Sequence, residues 1–527
     1  MPSPTTGAGP SMSVAALALS APDRTAVVDA SRRITWAELA RLVSDRTASL
    51  LQPAPGRPAF LIPKPDLNGL VDILAHWEAH MPAVLVSPKL TSAEQDALKS
   101  HADSISEPLP DGTAFVVFTS GTTGLPKPAI LTRESLTAGA RAMIRALRMT
   151  SSDVLQLSLS PARVGGLGII MRTLAAGSTI ALSPGFSGAR FPETLGRDGV
   201  TFASLVPAML ADLLERNPDW RNPPHLRAIL IGGAPFPDRL RAEAARRGIP
   251  VMTTYGMTET GSTSAVSAYE TRLSPVPVGE VPLAGTSFRT VDGVLCLKGP
   301  MLFAGYWGRP APVHDGWFET GDAGLVNHDG SIRILGRTSD MIITGGEKVV
   351  PSEVESALES LPGIREALVV GMPDEKWGQI VTALLVSDTD PHPQSDAIVC
   401  GLAARLARWK SPRRIACPVV IRIPGFVSSP FCLFQRAAAD ICTAAPLFLN
   451  GNTMSFRAFR RSRPSVSTLS RSGPIARIFL KYFYHKGFSG DTLHEVRSLA
   501  GLQPLKSQTP SFLGVSCFTC RILIIEK

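Results

Sequence analysis

Long apolar runs are missing from this chain: none reaches 18 uninterrupted residues, so no membrane-spanning helix is expected. No basic residue precedes an apolar core at the start, where Met1 to Met12 are rich in Pro, Ser, Thr and Gly. That composition argues against a secretory signal and for a flexible stretch over 1–12. Cysteine is scarce, with seven in 527 residues and no regular spacing. The pattern suits a reducing, cytoplasmic setting rather than a disulfide framework. Cys517-Phe-Thr-Cys520 has redox or zinc spacing, but no partner pair and no βαβ context accompany it, and it reads as incidental.

The net charge of +9 would suggest a nucleic-acid partner if it were spread over the body. It is not. From Ala416 to Lys527 there are 14 Lys and Arg against 4 Asp and Glu, whereas residues 1–415 hold 39 against 40. Five of the seven cysteines also fall in that last segment. A neutral body is therefore followed by a basic tail of different composition, and no nucleic-acid partner is implied.

Along the body, short apolar strands such as 59–62, 83–86, 155–158, 178–182, 202–206, 228–231 and 250–254 alternate with helical patterns such as 67–80, 207–217 and 237–247. Repeated β-α alternation implies an α/β fold of mostly parallel sheets covered by helices. From Val278 to Leu335 short strands and Gly/Asp turns predict a β-rich subdomain. His76 and His80, four residues apart, would share a helix face as a metal pair or simply as part of that face; without a third ligand the second reading is preferred.

The most informative stretch is residues 115–128. The apolar run Phe115 to Phe118 leads into Thr119, Ser120, Gly121, Thr122, Thr123 and Gly124, and the loop closes on Pro126-Lys127. Glycines let backbone N–H groups curl around an anion, hydroxyls add donors, and Lys127 supplies a point charge. A Walker A sequence needs G-x-x-x-x-G-K-[ST] and is absent here. Further on stand Gly232-Gly-Ala-Pro235, Thr254-Tyr-Gly-Met-Thr-Glu-Thr260, Asp315-Gly-Trp-Phe-Glu-Thr-Gly-Asp322 and Gly336-Arg-Thr-Ser-Asp-Met-Ile-Ile-Thr-Gly-Gly-Glu-Lys348.

Taken in order, these segments resemble the signature motifs of the acyl-adenylate-forming (AMP-binding) superfamily, with Pro128 where that superfamily usually has Gly. The resemblance implies a large AMP-binding domain over 13–336, a small α+β C-terminal domain over 337–415, and an ATP-dependent, AMP-forming acid–CoA ligase. ATP, Mg²⁺ and coenzyme A would be its cofactor and co-substrates, and a small carboxylic acid its other partner. By the same resemblance Lys127, Thr258 and Glu259 are catalytic, with Glu259 also holding the metal. Thr119 to Gly124, Gly233, Ala234, Tyr255, Gly256, Asp322 and Arg337 would bind ATP or AMP. A carboxylate such as Asp322 suits two ribose hydroxyls because it accepts two hydrogen bonds without donating. Ser339 and Asp340 occupy the hinge, and Gly345 and Gly346 the passage for the thiol arm.

Within the superfamily the body is most like the o-succinylbenzoate–CoA ligases of menaquinone biosynthesis, through Val164-Gly-Gly-Leu-Gly168 with Arg172 shortly after, Ile231 to Pro235, and Arg337 to Asp340. Arg163, Gly165 and Gly166 would then line the acyl pocket, with Arg163 pairing a second carboxylate or standing at a surface loop end. Fatty-acid and aryl-acid CoA synthetases share versions of these segments and remain alternatives.

The pattern breaks after Leu406-Ala-Arg-Trp-Lys-Ser-Pro-Arg-Arg-Ile415. The superfamily continues into a Pro-x-Thr-x-x-Gly-Lys loop whose lysine contacts the reacting carboxylate. Here the next lysine after Lys410 is Lys481, and no such loop is present. Residues 416–527 read as a non-homologous, poorly ordered tail of frame-shifted or replaced sequence, or else as a lineage-specific extension. A catalytically impaired nucleotide-binding protein is the rival reading.

Overall fold

The computed structural model describes residues 12–50, 57–119, 126–183, 185–387, 395–403 and 405–416. The chain divides into two compact units, one running to Asp340 and the other beginning at Met341. The division lies four residues beyond the 336/337 boundary expected from sequence. The reason is register: the strand Ile332–Arg337 stays paired with Trp317–Val326 as far as Asp322↔Arg337, and a short 3-10 turn, Thr338–Asp340, follows it.

In the first unit, the strands Thr25–Val28, Thr179–Leu182, Val154–Leu157, Phe202–Leu205, Ala228–Ile231 and Val251–Met257 lie side by side as parallel neighbours. Every residue of Thr179–Leu182, Phe202–Leu205 and Ala228–Ile231 is buried, as expected for parallel strands covered on both faces. Beyond Met257 the same sheet turns antiparallel through Ser262–Ser267, Glu280–Pro282, Ile332–Arg337, Trp317–Val326, Val294–Lys298 and Ser287–Val291, which is the β-rich region predicted. The helices Leu67–Glu78, Pro207–Arg216 and Asp238–Arg246 stand where the apolar periodicity places them.

A second sheet runs Ala59–Leu61, Ala83–Leu85, Thr113–Thr119, Lys127–Thr132 and Gly305–Tyr306. Its first three strands are parallel and the rest antiparallel. Lys127 is therefore the first residue of a strand, directly opposite Thr119. Trp77, from Leu67–Glu78, stacks on Phe115 of this sheet at 6.5 Å.

Two expectations are corrected. Met12 was placed in a flexible terminus, but it is buried and its carbonyl accepts a 2.7 Å hydrogen bond from the Trp77 indole. His80 does not share a helix with His76, since the helix ends at Glu78 and His80 adopts φ 54°. His76 is buried with Nδ1 2.9 Å from the Asp72 carbonyl.

The second unit is α+β. Ile364–Asp374 and Gly378–Ser387 form a long antiparallel pair, extended by the hairpin Ile342–Thr344/Glu347–Val349 and by Arg414–Ala416, which runs parallel to Gly378–Ser387. The helices Pro351–Glu359 and Ser395–Ala403 bury Val354, Leu358, Ile398 and Leu402 against Val369, Val381 and Leu385 of the sheet. Among the described residues no helix is long and apolar enough to cross a membrane.

Candidate active site

Open parallel sheets leave a crevice beyond the carboxyl ends of their strands, where ligands bind. The candidate residues of the first unit gather at such ends. Thr119 closes one strand, Gly232 and Gly233 follow Ile231, and Tyr255 to Met257 close another before the 3-10 turn Thr258–Thr260. Two of these glycines are required locally. Gly233 has φ +80°, and a Cβ on Gly256 would stand 1.7 Å from the Ser262 carbonyl oxygen. Ala234 is half-buried in the same turn.

Asp322 is the centre of one hydrogen-bonded group. The Tyr255 hydroxyl donates to Oδ2 at 2.7 Å, and Arg337 Nε approaches Oδ1 at 2.8 Å across the strand pair. Burial pushes the Asp322 carboxyl above the usual range, against the pull of Arg337 and Tyr255. Burial, reinforced by the Asp322 charge, also drives the Tyr255 phenol well upward, so it remains a donor. A buried carboxylate holding one donor at each oxygen keeps further lone pairs to accept hydroxyls.

A second group surrounds Glu259. Its side-chain Oε1 accepts a 2.6 Å hydrogen bond from Tyr306, and its carbonyl accepts one from the Phe303 N–H at 2.9 Å. Lys127 Nζ lies 5.2 Å from the centre of the Tyr306 ring. Thr258, one residue before, is half-buried in the same turn. Tyr306 was not singled out from sequence, since a tyrosine in Gly305-Tyr306-Trp307 carries no spacing signal of its own.

Among the described residues no cluster of three or more His, Cys, Asp or Glu occurs. Glu259 is the carboxylate that this group would offer a cation. This donor set fits Mg²⁺, which keeps several waters and takes most of its remaining ligands from phosphate oxygens.

Arg163 caps the start of the helix Val164–Ala176; it is exposed, and its Nη1 reaches the Phe118 carbonyl at 3.5 Å. Gly165 and Gly166 serve close packing: a Cβ on Gly166 would stand 2.2 Å from the Ser160 carbonyl oxygen, and one on Gly165 2.9 Å from Leu159 Cδ1. The buried arginine of this region is Arg172 on the same helix, 3% exposed. It has no hydrogen-bond or ion partner among the described residues, and burial pushes its guanidinium down to about 10. A Cβ built on Gly168 would stand 2.8 Å from Ser262 Oγ and 3.3 Å from Arg172 Nη1, so the guanidinium sits beside Ser262, three residues from Glu259. Its signal in the sequence is a lone cation in an otherwise apolar helix.

Ser339 Oγ and Asp340 Oδ1 are 2.9 Å apart in the turn that ends the first unit. In the second unit Gly345 (φ +58°) and Gly346 (φ +86°) form the two-residue turn of a hairpin that needs positive φ at both positions. A Cβ on Gly345 would also strike the Trp377 ring at 2.6 Å. Lys410 is held by both oxygens of Glu353, at 2.7 and 2.8 Å. Ser120 to Gly124, and the expected tail beyond residue 416, lie outside the described residues.

Comparison with known proteins places these segments. The model of the AMP-binding enzyme matches residues 92–307, and that of the AMP-binding enzyme C-terminal domain matches 353–424, past Ile415. A 2-succinylbenzoate–CoA ligase of Bacillus mycoides is 36% identical over 313 residues, which are 57% of this chain and 65% of the relative. The chain thus spans somewhat less than two thirds of that relative's length. Among solved structures, the o-succinylbenzoate CoA synthetase of Bacillus subtilis with its acyl-adenylate intermediate OSB-AMP matches with a TM-score of 0.66 and 28% identity, over 78% of this chain and 94% of that one. The same enzyme with ATP and magnesium ion matches at 0.67 and 27%, over 78% and 96%. The two matched segments, AMP-binding enzyme and its C-terminal domain, together cover more than half of the residues, and the chain belongs to the AMP-binding enzyme family.

Proposed function

We propose that the chain is an ATP-dependent, AMP-forming acid–CoA ligase, and that its acid carries a second carboxylate, as o-succinylbenzoate does. The observation that supports it most is the convergence on Asp322: Tyr255 and Arg337 both hold its buried carboxylate beside the carboxyl ends of the parallel strands. In this reading Asp322 takes the ribose hydroxyls, and Gly233, Ala234 and Tyr255 flank the adenine. Thr119 and Lys127 hold the phosphates together with the loop between them. Magnesium at Glu259 would neutralise charge on the phosphate oxygens.

The acid's carboxylate oxygen attacks the α-phosphorus, the bond to pyrophosphate breaks, and an acyl-adenylate results. The thiolate of coenzyme A then attacks the acyl carbon and AMP leaves with the electron pair of the broken C–O bond. No protein nucleophile is needed, so catalysis rests on positioning and on cations and donors arranged around the transferring phosphoryl group. Ser339 and Asp340 serve as the hinge and Gly345 and Gly346 as the thiol passage. The setting is cytoplasmic.

Arg172 supports a dicarboxylic acid over a simple one. A buried guanidinium without a counter-charge is costly, and a substrate carboxylate would offset that cost. Arg163, exposed and turned to the Phe118 carbonyl, supports this role less. The test is acid-dependent ATP–pyrophosphate exchange over a panel of aryl, fatty and dicarboxylic acids. Arg172→Leu should raise KM for the preferred dicarboxylic acid about a hundredfold and leave a monocarboxylic acid nearly unaffected. Equal losses for both kinds of acid would overturn the assignment.

A second reading, nucleotide binding with impaired adenylation, is favoured by one sequence feature, the gap between Lys410 and Lys481 where the family has its lysine-bearing loop.

A further inference from the structure

We propose that Tyr306 is a positioning residue for nucleotide activation, fixing the Glu259 carboxylate through its hydroxyl and seating Lys127 against its ring. This rests on the reading of Glu259 as the magnesium-side carboxylate. The hydroxyl donates to Oε1 at 2.6 Å, and the other carboxylate oxygen, Oε2, accepts no hydrogen bond among the described residues. One oxygen is thereby anchored and the other is free to face a hard cation or its waters.

The tyrosine is itself firmly held. Its strand pairs with Lys127–Thr132 in the register Tyr306↔Ala129, and its ring meets Phe303 edge-on at 4.9 Å. Its neighbour Trp307 donates its indole N–H to the Glu107 carbonyl at 2.7 Å. Only 8% of Tyr306 is exposed, so the ring cannot swing away without opening this packing. A phenylalanine would fill the same space and keep the ring face beside Lys127. The hydroxyl is explained by Glu259 alone.

The full-length chain and Tyr306→Phe are compared by calorimetric titration of ATP at a series of Mg²⁺ concentrations. Wild type should bind ATP more tightly as Mg²⁺ rises. In Tyr306→Phe the midpoint of that rise should move about tenfold higher, with metal-free ATP binding and the thermal midpoint nearly unchanged. In a Glu259→Gln background the same substitution should change the midpoint less than twofold, because the two residues act as one. Tyr306→Leu, which also removes the ring from Lys127, should further weaken metal-free ATP binding. Absence of any Mg²⁺ effect in wild type would overturn both the functional reading and this proposal. A normal Mg²⁺ effect in wild type that persists unchanged in Tyr306→Phe would overturn the proposal alone. Parallel loss of metal-free and metal-assisted binding in Tyr306→Phe would mark a structural role and likewise overturn it.

Discussion

Tyr255 and Asp322, 67 residues apart in sequence, are joined by a 2.7 Å hydrogen bond in which a buried phenol donates to a buried carboxylate. The pair links the strand that carries the Tyr255 motif to the antiparallel strand Trp317–Val326, and Arg337 completes it from the next strand. The proposed ribose end of the site is thus assembled by sheet register and not by a loop.

Asp322→Asn should weaken ATP binding about thirtyfold, because an amide offers one acceptor oxygen where the carboxylate offers two and loses the charge that strengthens each bond. The loss should shrink to within threefold when 2′,3′-dideoxy-ATP replaces ATP in the same titration. An equal loss with both nucleotides would remove the ribose from Asp322.

Gly256→Ala should destabilise the fold by about 3 kcal/mol, since the new Cβ meets the Ser262 carbonyl oxygen and neither strand can yield freely. Denaturant unfolding measures it. Gly346→Ala, where no heavy atom lies within 4 Å but φ is +86°, should cost about 1 kcal/mol through backbone strain alone.

Stability should fall with rising pH through the carboxyls that burial raises, Asp322 and Glu280, and the second can be tested away from the nucleotide-site residues. Burial raises Glu280 above the ordinary glutamate range, although Thr253 and Arg241 pull the other way. A carboxyl raised in the folded state holds its proton there at a pH where the unfolded chain has lost it. Its contribution is therefore complete below the ordinary glutamate value, about 4.3, and is lost as pH climbs through the raised one. Glu280→Gln should flatten the fall in thermal midpoint immediately above pH 4.3, and an unchanged slope would exclude Glu280 as its source.

The two half-reactions should separate in this chain. Without the lysine-bearing loop of the family, acid-dependent ATP–pyrophosphate exchange should run far below thioester formation from supplied acyl-adenylate. Quenched-flow or endpoint assays of each half give the ratio, and equal loss of both would point to the second unit as a whole.

Much of this architecture was legible in the sequence. Unbroken apolar tetrads such as Ala228–Ile231 can be satisfied only by burial on both faces, and the change to Gly/Asp turns after Val278 marks where the sheet becomes antiparallel. Tyr255, Glu259, Asp322 and Arg337 stand in motifs whose residue types state their chemistry. Tyr306 and Arg172 do not. One is defined by a partner 47 residues away, which leaves no local pattern, and the other shows in the sequence only as a lone cation in an apolar helix, its lack of a partner among the described residues being a matter of packing. The strand placement of Lys127 was missed for a related reason: Pro126-Lys127 reads as the end of a loop, whereas pairing with Thr119 begins there.

The last strand of the five-stranded sheet, Gly305–Tyr306, arrives late in the polypeptide. Its partner Lys127–Thr132 emerges some 175 residues earlier, an interval of about 10–35 s at ordinary rates of synthesis. Throughout that interval the edge of Lys127–Thr132 lacks the strand that pairs with it in the finished fold. The residue that caps that edge also anchors Glu259, so a chain whose synthesis stalls before codon 306 lacks both contacts at once.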